Sequence, residues 1–359
     1  MTRHLFDPVA LGPLALPNRI VMAPMTRNRA SASHLPTPIM AAYYAQRAEA
    51  GLLITEGTAP TPSGCGYARI PGLWSEEQVA AWRVVTDAVH DRGGRIAVQL
   101  MHTGRVGHPD NQPPGARLLA PSAVPLDATV RTAAGPLPCP TPLAMTEAQI
   151  EAALDGFAQA ARNARAAGFD LVELHGANGY LIEQFLAPCT NQRTDRWGGD
   201  LPGRARFAIE VARRVGEAIG ADRVGMRLSP LGVVNRIRPW PGVPSDYAWL
   251  AEQLGGLDLA TLHLVDHRDL GGAPVPSRVA RKLRRAFSGA FILSGGYDRA
   301  RADADLAADK GDLVAFGRAF LANPDLVERL RRDAPLNVPD HATFYSGEER
   351  GYLDYPTLS

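Results

Sequence analysis

The stretch AGFDLVELHGANGY, residues 167–180, decides the fold class. Its first glycine is a typical stop for the helical pattern before it, because glycine adopts the left-handed conformation at low cost. Residues 169–174 are apolar on both faces, as expected of a parallel strand that is covered on both sides. A polar loop with His175, Asn178 and Tyr180 follows. Helix, buried strand and polar loop in this order are typical of one unit of a parallel α/β fold.

The same unit recurs along the chain. Short apolar runs alternate with longer amphipathic segments, two of which begin with helix-capping signals at Ser75 and Thr146. Because crossovers between parallel strands are right-handed, strict alternation predicts closure into a (β/α)8 TIM barrel. The predicted strands are 19–24, 51–56, 95–100, 169–174, 223–228, 259–265, 289–294 and 312–316. The predicted helices are 38–50, 76–91, 146–167, 202–219, 245–255, 275–286, 298–309 and 323–333.

Two segments fall outside this alternation. Residues 101–145, after the third strand, are rich in proline and glycine. We expect a long loop or small subdomain there, on the active-site face and with room for a short hairpin, because loops this long in compact domains are usually functional. The tail 335–359 is aromatic and not of low complexity, so we expect it to pack against the barrel. The chain is predicted to form a single domain over 1–359.

Composition excludes several classes of protein. The net charge of +1 gives no reason to expect nucleic acid or membrane partners. Cys65, Cys139 and Cys189 are far apart, which argues against a disulfide framework or a structural zinc site and fits a reducing compartment. Lys282 and Lys310, the only lysines, lie in helical stretches, whereas Schiff-base enzymes need a lysine in the active site. We expect a cytoplasmic monomer or homodimer that acts on small molecules.

Two glycine-rich turns follow the last two predicted strands. They are SGGY at 294–297 and FGRAF at 316–320. In α/β barrels these two loops commonly bind phosphate, because glycines let backbone N–H groups approach it closely. Arg318 can add a charge-assisted contact. A glycine after a strand is often only a turn, but the two motifs together favour a phosphorylated ligand.

Other polar residues gather at the same rim. Arg227, at the end of the fifth strand, can neutralise an anionic group such as the N1/C2 carbonyl edge of a reduced flavin, although an ordinary rim ion pair is an alternative. Gln99 can bond the edge of a flat heterocycle through its donor and its acceptor. The Thr26 hydroxyl can donate to a flavin carbonyl or to the N5 region. The three residues are consistent with a flavin.

The loop after the fourth strand carries the candidate chemistry. His175 and Asn178 are three residues apart and can donate two hydrogen bonds to one oxygen, which polarises a carbonyl group. Tyr180 lies two residues further on and can deliver a proton. A metal site is an alternative, but no third ligand at strand-end spacing completes it. A loop without chemistry is another alternative, since histidine and asparagine are common in turns.

The chain resembles the old yellow enzymes, a family of FMN-dependent ene-reductases, over nearly its whole length. Seven ordered blocks carry the resemblance. They are LPNRIVMAPMTRNRA at 16–30, YYAQRAEAGLLITEGT at 43–58, GYARIPGLWSEEQVAAWRVVTDAVH at 66–90, GRIAVQLMHTGR at 94–105, AGFDLVELHGANGYLIEQFLAPCTNQRTDRWGGDLPGRARF at 167–207, LVAFGRAFLANPDLVERL at 313–330 and FYSGEERGYLDYPTL at 344–358.

The resemblance implies an NAD(P)H-dependent flavin oxidoreductase of the ene-reductase or NADPH dehydrogenase type. In its ping-pong cycle NADPH or NADH reduces FMN, and hydride from flavin N5 then reduces the C=C bond of an α,β-unsaturated carbonyl or nitro compound. His175 and Asn178 would bind the substrate oxygen and Tyr180 would protonate the α-carbon. Substrate-lining residues would be Tyr67, Met101 and Tyr345. Cofactor-binding residues would be Pro24, Met25, Thr26, Gly57, Gln99, His175, Arg227, Ser294, Gly295, Gly296, Gly317 and Arg318.

Some positions depart from the family pattern. Met101 occupies a position where many relatives carry tryptophan, so we expect an altered pocket. The segments 229–244 and 267–272 look divergent, which leaves the choice between NADPH and NADH open. Arg236 and Arg238 are candidates for a 2′-phosphate contact or are solvated loop charges.

Two alternatives to an ene-reductase are weaker. An iron–sulfur relative needs a cysteine run after the barrel, and the last cysteine is Cys189. A flavin-binding sensor without turnover does not need the proton donor Tyr180.

Overall fold

A computed structural model of the chain describes residues 3–358. The strands in that range are β1 Val9–Leu11, β2 Leu14–Leu16, β3 Ile20–Met22, β4 Leu52–Thr58, β5 Ile96–Leu100, β6 Leu119–Ala120, β7 Thr129–Thr132, β8 Gly135–Pro138, β9 Leu143–Ala144, β10 Leu171–Gly176, β11 Val224–Leu228, β12 Thr261–Val265, β13 Ala290–Ser294 and β14 Leu313–Phe316. The helices are α1 Pro38–Ala45, α2 Glu76–His90, α3 Glu147–Ala166, α4 Leu181–Leu186, α5 Leu201–Ile219, α6 Val243–Gly255, α7 Ser277–Ala286, α8 Arg299–Ala307, α9 Arg318–Ala322 and α10 Leu326–Arg332.

A closed parallel barrel forms the centre of the molecule, which confirms the predicted fold class. Its strand order is β3-β4-β5-β10-β11-β12-β13-β14, and β14 pairs with β3 to close the ring. Every predicted barrel strand appears, with its ends within two residues of the prediction. Strands such as β4 and β5 are buried at every position, because helices cover the outside and side chains fill the inside.

The helices begin where the capping signals placed them. The Ser75 side chain accepts a hydrogen bond from the Gln78 amide at the start of α2, and Thr146 accepts one from Gln149 at the start of α3. Both are complete capping boxes, which satisfy backbone donors that have no partner within the helix. At the other end of α3, Gly168 has a φ of 93°, as the stop signal in the opening stretch predicts.

A hairpin that we did not predict closes one end of the barrel. It consists of β1 and β2, which pair antiparallel just before β3. Leu11 and Leu16 are fully or almost fully buried and pack on the first residues of barrel strands, among them Val21, Leu52 and Leu171. This end is therefore sealed with apolar side chains, and the polar residues lie at the opposite, carboxyl ends of the strands.

The segment between β5 and α3 contains two small sheets. β7 and β8 form an antiparallel hairpin, and β6 pairs with β9. Val106, Leu126 and Val130 from this segment pack against Tyr67 and Tyr180. The segment therefore covers the loop that follows β10.

The tail packs against the barrel as predicted, over its described residues 335–358. Tyr352 is buried and stacks on Tyr43 of α1, with ring centroids 4.0 Å apart. Two buried arginines after β3 also hold it. Arg27 donates to the carbonyl oxygens of Phe344 and Gly351, and Arg29 donates to those of Thr343, Phe344 and Ser346. The rim loop with Thr26 is thereby fastened to the tail.

Candidate active site

The predicted rim residues lie at the carboxyl ends of the barrel strands. His175 is the penultimate residue of β10 and lies opposite Arg227 of β11 in the parallel register. Gln99 of β5 is opposite Glu173 on the other side of β10. Asn178 and Tyr180 lie in the loop between β10 and α4, a helix that the sequence did not predict.

A buried carboxylate fixes the loop that carries these residues. Glu183 of α4 accepts hydrogen bonds from the Gly179 amide at 2.6 Å, from Ser229 Oγ at 2.9 Å and from the Tyr247 hydroxyl. Ser229 Oγ also accepts a hydrogen bond from the backbone N–H of Asn178, at 2.9 Å. Asn178 and Gly179 have φ angles of 59° and 73°, so the turn needs this support. Glu183 was not among the site residues predicted from the sequence.

Glu183 should make stability depend on pH. Burial raises its pKa to about 7, against the pull of its three donors, and the pKa of Glu56 is likewise about 7 because of burial. Between pH 4.5 and about pH 7, these two carboxyl groups are deprotonated in the unfolded chain but still hold their protons in the native state. The free energy of unfolding should therefore fall as pH rises through this range.

Denaturant titrations between pH 4.5 and 7 test this in Glu183→Gln. The slope against pH should become shallower than in the parent, by up to about 1.4 kcal/mol per pH unit, because one titrating group is gone. Glu217→Gln is the matched control, since the Glu217 side chain is 63% exposed on α5. An unchanged slope in Glu183→Gln would contradict the assignment.

His175 is neutral in this environment. Burial is the main cause that holds its pKa well below the usual range, and the charge of Arg227 acts in the same direction. Its Nδ1 atom is buried without a partner among the described residues. A neutral imidazole with an unsatisfied nitrogen can act as a hydrogen-bond donor to a substrate without carrying charge itself.

Tyr180 lies against His175 and Tyr67. The rings of Tyr180 and His175 meet edge to face, with centroids 4.9 Å apart. The hydroxyls of Tyr180 and Tyr67 are 3.1 Å apart. Burial raises the pKa of Tyr180, so the phenol keeps its proton at physiological pH. The geometry places an acid next to the predicted oxygen-binding residue.

A chain of buried polar groups runs behind these residues. Gln99 donates to Glu173 at 2.8 Å, and His263 Nδ1 lies 2.7 Å from the other oxygen of Glu173. Burial favours the neutral carboxyl group of Glu173, but His263 and Arg227 outweigh it and lower the pKa of Glu173. Burial lowers the pKa of His263. We infer that Glu173 is ionised and that its carboxylate accepts a hydrogen bond from the neutral His263 imidazole. Neither residue was predicted from the sequence, although each is a polar residue in a mostly apolar strand.

Arg227 is buried, and among residues 3–358 no carboxylate lies within ion-pair distance of it. Its Nε atom has no hydrogen-bond partner in the same range. A buried guanidinium is costly unless an anionic or polar partner meets it. An electron-accepting ring with a carbonyl edge, such as a flavin, fits this requirement.

The two glycine-rich turns lie side by side after β13 and β14. Gly295 and Gly296 have φ angles of 118° and 62°, and a Cβ atom on Gly295 would lie 2.4 Å from the Asp266 carbonyl oxygen. A Cβ atom on Gly317 would meet nothing closer than Met25 Sδ at 3.6 Å. A side chain at Gly295 would clash with Asp266, whereas one at Gly317 would face open space; backbone N–H groups in such glycine turns can bind a phosphate.

Asp269 lies beside these two glycine-rich turns and was not among the residues predicted from the sequence. Arg318 donates to the Asp269 carbonyl oxygen at 3.1 Å, and its guanidinium is 3.7 Å from the carboxylate. The same carboxylate lies over Gly296. Arg318 therefore already attracts one anionic group, and a bound phosphate would compete with Asp269 for it.

The predicted substrate residues differ in exposure. Met101 is buried and its side chain covers Gly57, where a Cβ atom would lie 2.5 Å from Met101 Sδ. Tyr67 packs against Met101 in one apolar cluster with Tyr180. Tyr345 is 56% exposed in the tail and lies further out than the other two. Pro24, Met25 and Thr26 follow β3, and Ser294 ends β13.

Residues 3–358 contain no group of three or more His, Cys, Asp or Glu side chains placed to hold a metal ion. No helix there is both long and apolar enough to cross a membrane.

Comparison with known proteins identifies the family. The model of the NADH:flavin oxidoreductase / NADH oxidase family matches residues 4–337. The chain is 46% identical to chanoclavine-I aldehyde reductase fgaOx3 of Penicillium roqueforti, over 98% of this chain and 95% of that protein. It is 42% identical to a probable flavin mononucleotide-dependent alkene reductase of Leishmania infantum, over 99% and 97%.

The structural comparison agrees. Morphinone reductase superposes with a TM-score of 0.96 at 43% identity, over 100% of this chain and 97% of that one. The old yellow enzyme homologue of Zymomonas mobilis gives 0.95 at 39% identity, over 99% and 100%. The barrel and the flavin-binding character predicted from sequence are thereby confirmed: the chain belongs to the NADH:flavin oxidoreductase / NADH oxidase family and is an FMN-dependent reductase of the old yellow enzyme (ene-reductase) type.

Proposed function

We propose that this enzyme reduces the C=C bond of α,β-unsaturated carbonyl compounds in the pocket formed by His175, Asn178 and Tyr180. The observation that carries the proposal is that a neutral histidine and a protonated tyrosine meet edge to face on one braced loop. One group binds an oxygen, and the other holds a proton close to it.

FMN would supply the hydride that the side chains cannot provide, after its own reduction by NADPH or NADH. Its placement between the strand ends and the loops after β13 and β14 is supported by Arg227, whose Nε atom has no partner among residues 3–358, and by the glycine turns in those loops. The residues that would hold the ring are Pro24, Met25, Thr26, Gly57, Gln99, His175 and Arg227. Those that would hold the phosphate are Ser294, Gly295, Gly296, Gly317 and Arg318.

His175 and Asn178 bind the substrate oxygen in this proposal. Two donors aimed at one carbonyl oxygen stabilise the negative charge that develops on it as the β-carbon accepts hydride. Because His175 is neutral, it donates a hydrogen bond without an added positive charge, and the net charge next to Arg227 stays low.

Tyr180 supplies the proton. Its raised pKa keeps the phenol protonated until an enolate with a basic α-carbon is present. Tyr67 lies within hydrogen-bond distance of the Tyr180 oxygen and can stabilise the phenolate that remains. The walls of the pocket would be Tyr67 and Met101, with the more exposed Tyr345 at the entrance.

We also propose that the enzyme works in the cytoplasm on small molecules, as a monomer or homodimer. Cys65 and Cys139 are buried free thiols, which suits a reducing compartment. Arg236 is an exposed loop charge, with 69% of its side chain accessible, 3.6 Å from Asp127. It is available to a 2′-phosphate without rearrangement of the core.

Binding of 4-nitrophenol tests the oxygen-binding pair, because its phenolate resembles the enolate. In His175→Ala the Kd should rise about 10- to 100-fold, as expected when a hydrogen bond to a charged group is lost. Titration followed by phenolate absorbance measures it. His90→Ala is the control, since His90 pairs with Asp170 on the barrel surface. An unchanged Kd in His175→Ala with full FMN content would count against the pair.

A further inference from the structure

Asn178 is not free to turn its amide group. Its Oδ1 atom lies 2.8 Å from Nε2 of His267, a residue in the loop after β12. An asparagine presents either an acceptor or a donor to a ligand, depending on which way the amide faces. The partner on the other side of the amide therefore decides what the pocket offers to a substrate.

The protonation of His267 follows from its second contact. The Val233 amide donates to His267 Nδ1 at 3.0 Å, so Nδ1 is the acceptor of the ring. Burial, aided by the charge of Arg227, lowers the pKa of His267 to about 4, so the ring is neutral at physiological pH. A neutral imidazole with Nδ1 as acceptor carries its proton on Nε2.

The amide orientation follows in turn. Since His267 Nε2 is a donor, the Asn178 atom that meets it must be the carbonyl oxygen. The Nδ2 group then faces away from His267, and no hydrogen-bond partner for it exists among the described residues 3–358. Its two N–H donors remain for a ligand.

His267 is itself firmly held. The side chain is 2% exposed, and Cβ atoms on Gly232 and Gly272 would each lie 2.9 Å from it. Both glycines belong to the segments 229–244 and 267–272, which we expect from the sequence to diverge from the family pattern. The two segments meet at this ring, and through it they reach Asn178.

We propose that His267 is a positioning residue that locks the Asn178 amide with its donor side toward the substrate oxygen. The proposal rests on the proposed function, in which Asn178 binds that oxygen. It makes the loop after β12 a determinant of which oxygen the pocket prefers. The locked pair favours an electron-rich acceptor, a carbonyl that becomes an enolate or a phenolate, over a ligand that presents a hydroxyl donor.

A double-mutant cycle with 4-nitrophenol tests the proposal on the FMN-loaded enzyme. His267→Leu should raise the Kd about five- to tenfold in the parent, because the amide is then free to turn its oxygen to the ligand. The same substitution should change the Kd less than twofold in Asn178→Ala, where there is no amide to lock. His267→Gln should keep most of the parent's affinity for 4-nitrophenol, because the glutamine NH2 group can still donate to the Asn178 side-chain oxygen.

The outcomes separate the two proposals. If Asn178→Ala binds 4-nitrophenol as the parent does, the proposed oxygen-binding role fails. If Asn178→Ala weakens binding but His267→Leu does not, or if His267→Leu weakens it equally in both backgrounds, only the positioning role is overturned. A second readout is ¹⁵N NMR of the His267 ring, which should show an Nε2–H neutral tautomer, whereas an Nδ1–H tautomer would contradict the lock.

Discussion

Replacing Tyr180 by phenylalanine should lower the rate of enone reduction by about 10²- to 10⁴-fold, the usual contribution of a general acid. Reduction of the bound flavin by NADPH or NADH should keep its rate to within a few-fold, because that half-reaction needs no proton from Tyr180. The substitution removes one oxygen from a ring that packs against His175 and Tyr67, so the pocket should keep its shape. Anaerobic stopped-flow absorbance separates the two half-reactions.

Tyr67→Phe is the matched control for this experiment. It removes the hydroxyl that lies 3.1 Å from that of Tyr180 and leaves the proton donor in place. We expect a loss of about 10- to 100-fold, smaller than that in Tyr180→Phe, because a hydrogen bond to the phenolate is lost while the proton donor remains. Equal losses of both half-reactions in Tyr180→Phe would contradict its role as the acid.

Arg227→Met should have the second-largest effect. Among residues 3–358 the buried guanidinium has no carboxylate within ion-pair distance, and we propose that a flavin edge is its partner. Loss of a charge-assisted contact worth about 1.5–3 kcal/mol should lower the midpoint potential of bound FMN by about 30–60 mV, since 30 mV corresponds to 1.4 kcal/mol for two electrons. Reduction by nicotinamide should slow correspondingly. Spectroelectrochemistry measures the potential.

Stability of the apoprotein distinguishes this role from a structural one. Among residues 3–358 Arg227 has no carboxylate within ion-pair distance and acts on Glu173 only from further away, so its removal should change the thermal midpoint of the flavin-free protein little, whereas removal of a structural ion pair would lower it. Arg236→Met is the control for charge alone, because that side chain is exposed. A large fall in apoprotein stability with an unchanged flavin potential would overturn the assignment.

The barrel was predictable because each of its strands is buried on both faces. Such a run is apolar throughout, as residues 169–174 and 223–228 are. The helix α4 was not predictable by the same reasoning, because all six of its residues are buried and it shows no polar face. The predicted helix 323–333 begins instead at Leu326, since Pro324 disfavours helical backbone in the residue before it.

The site was predictable only in part. Residues at strand ends, such as His175 and Arg227, follow from the fold, since the carboxyl ends of all the strands share one rim. Glu183 and His267 could not be assigned, because their contacts with Gly179 and Asn178 depend on how separate loops meet in space. A charged residue within the mostly apolar run LIEQFL, 181–186, was the sequence signal that pointed to such a contact.

Isotope labelling of one turnover tests the central claim most directly. The enzyme is reduced with nicotinamide cofactor carrying deuterium at both C4 positions and then mixed with cyclohexenone in ordinary water. We expect cyclohexanone with deuterium at C3, the β-carbon, and hydrogen from solvent at C2, where Tyr180 would deliver its proton. Deuterium at the carbonyl carbon or at C2 would contradict it.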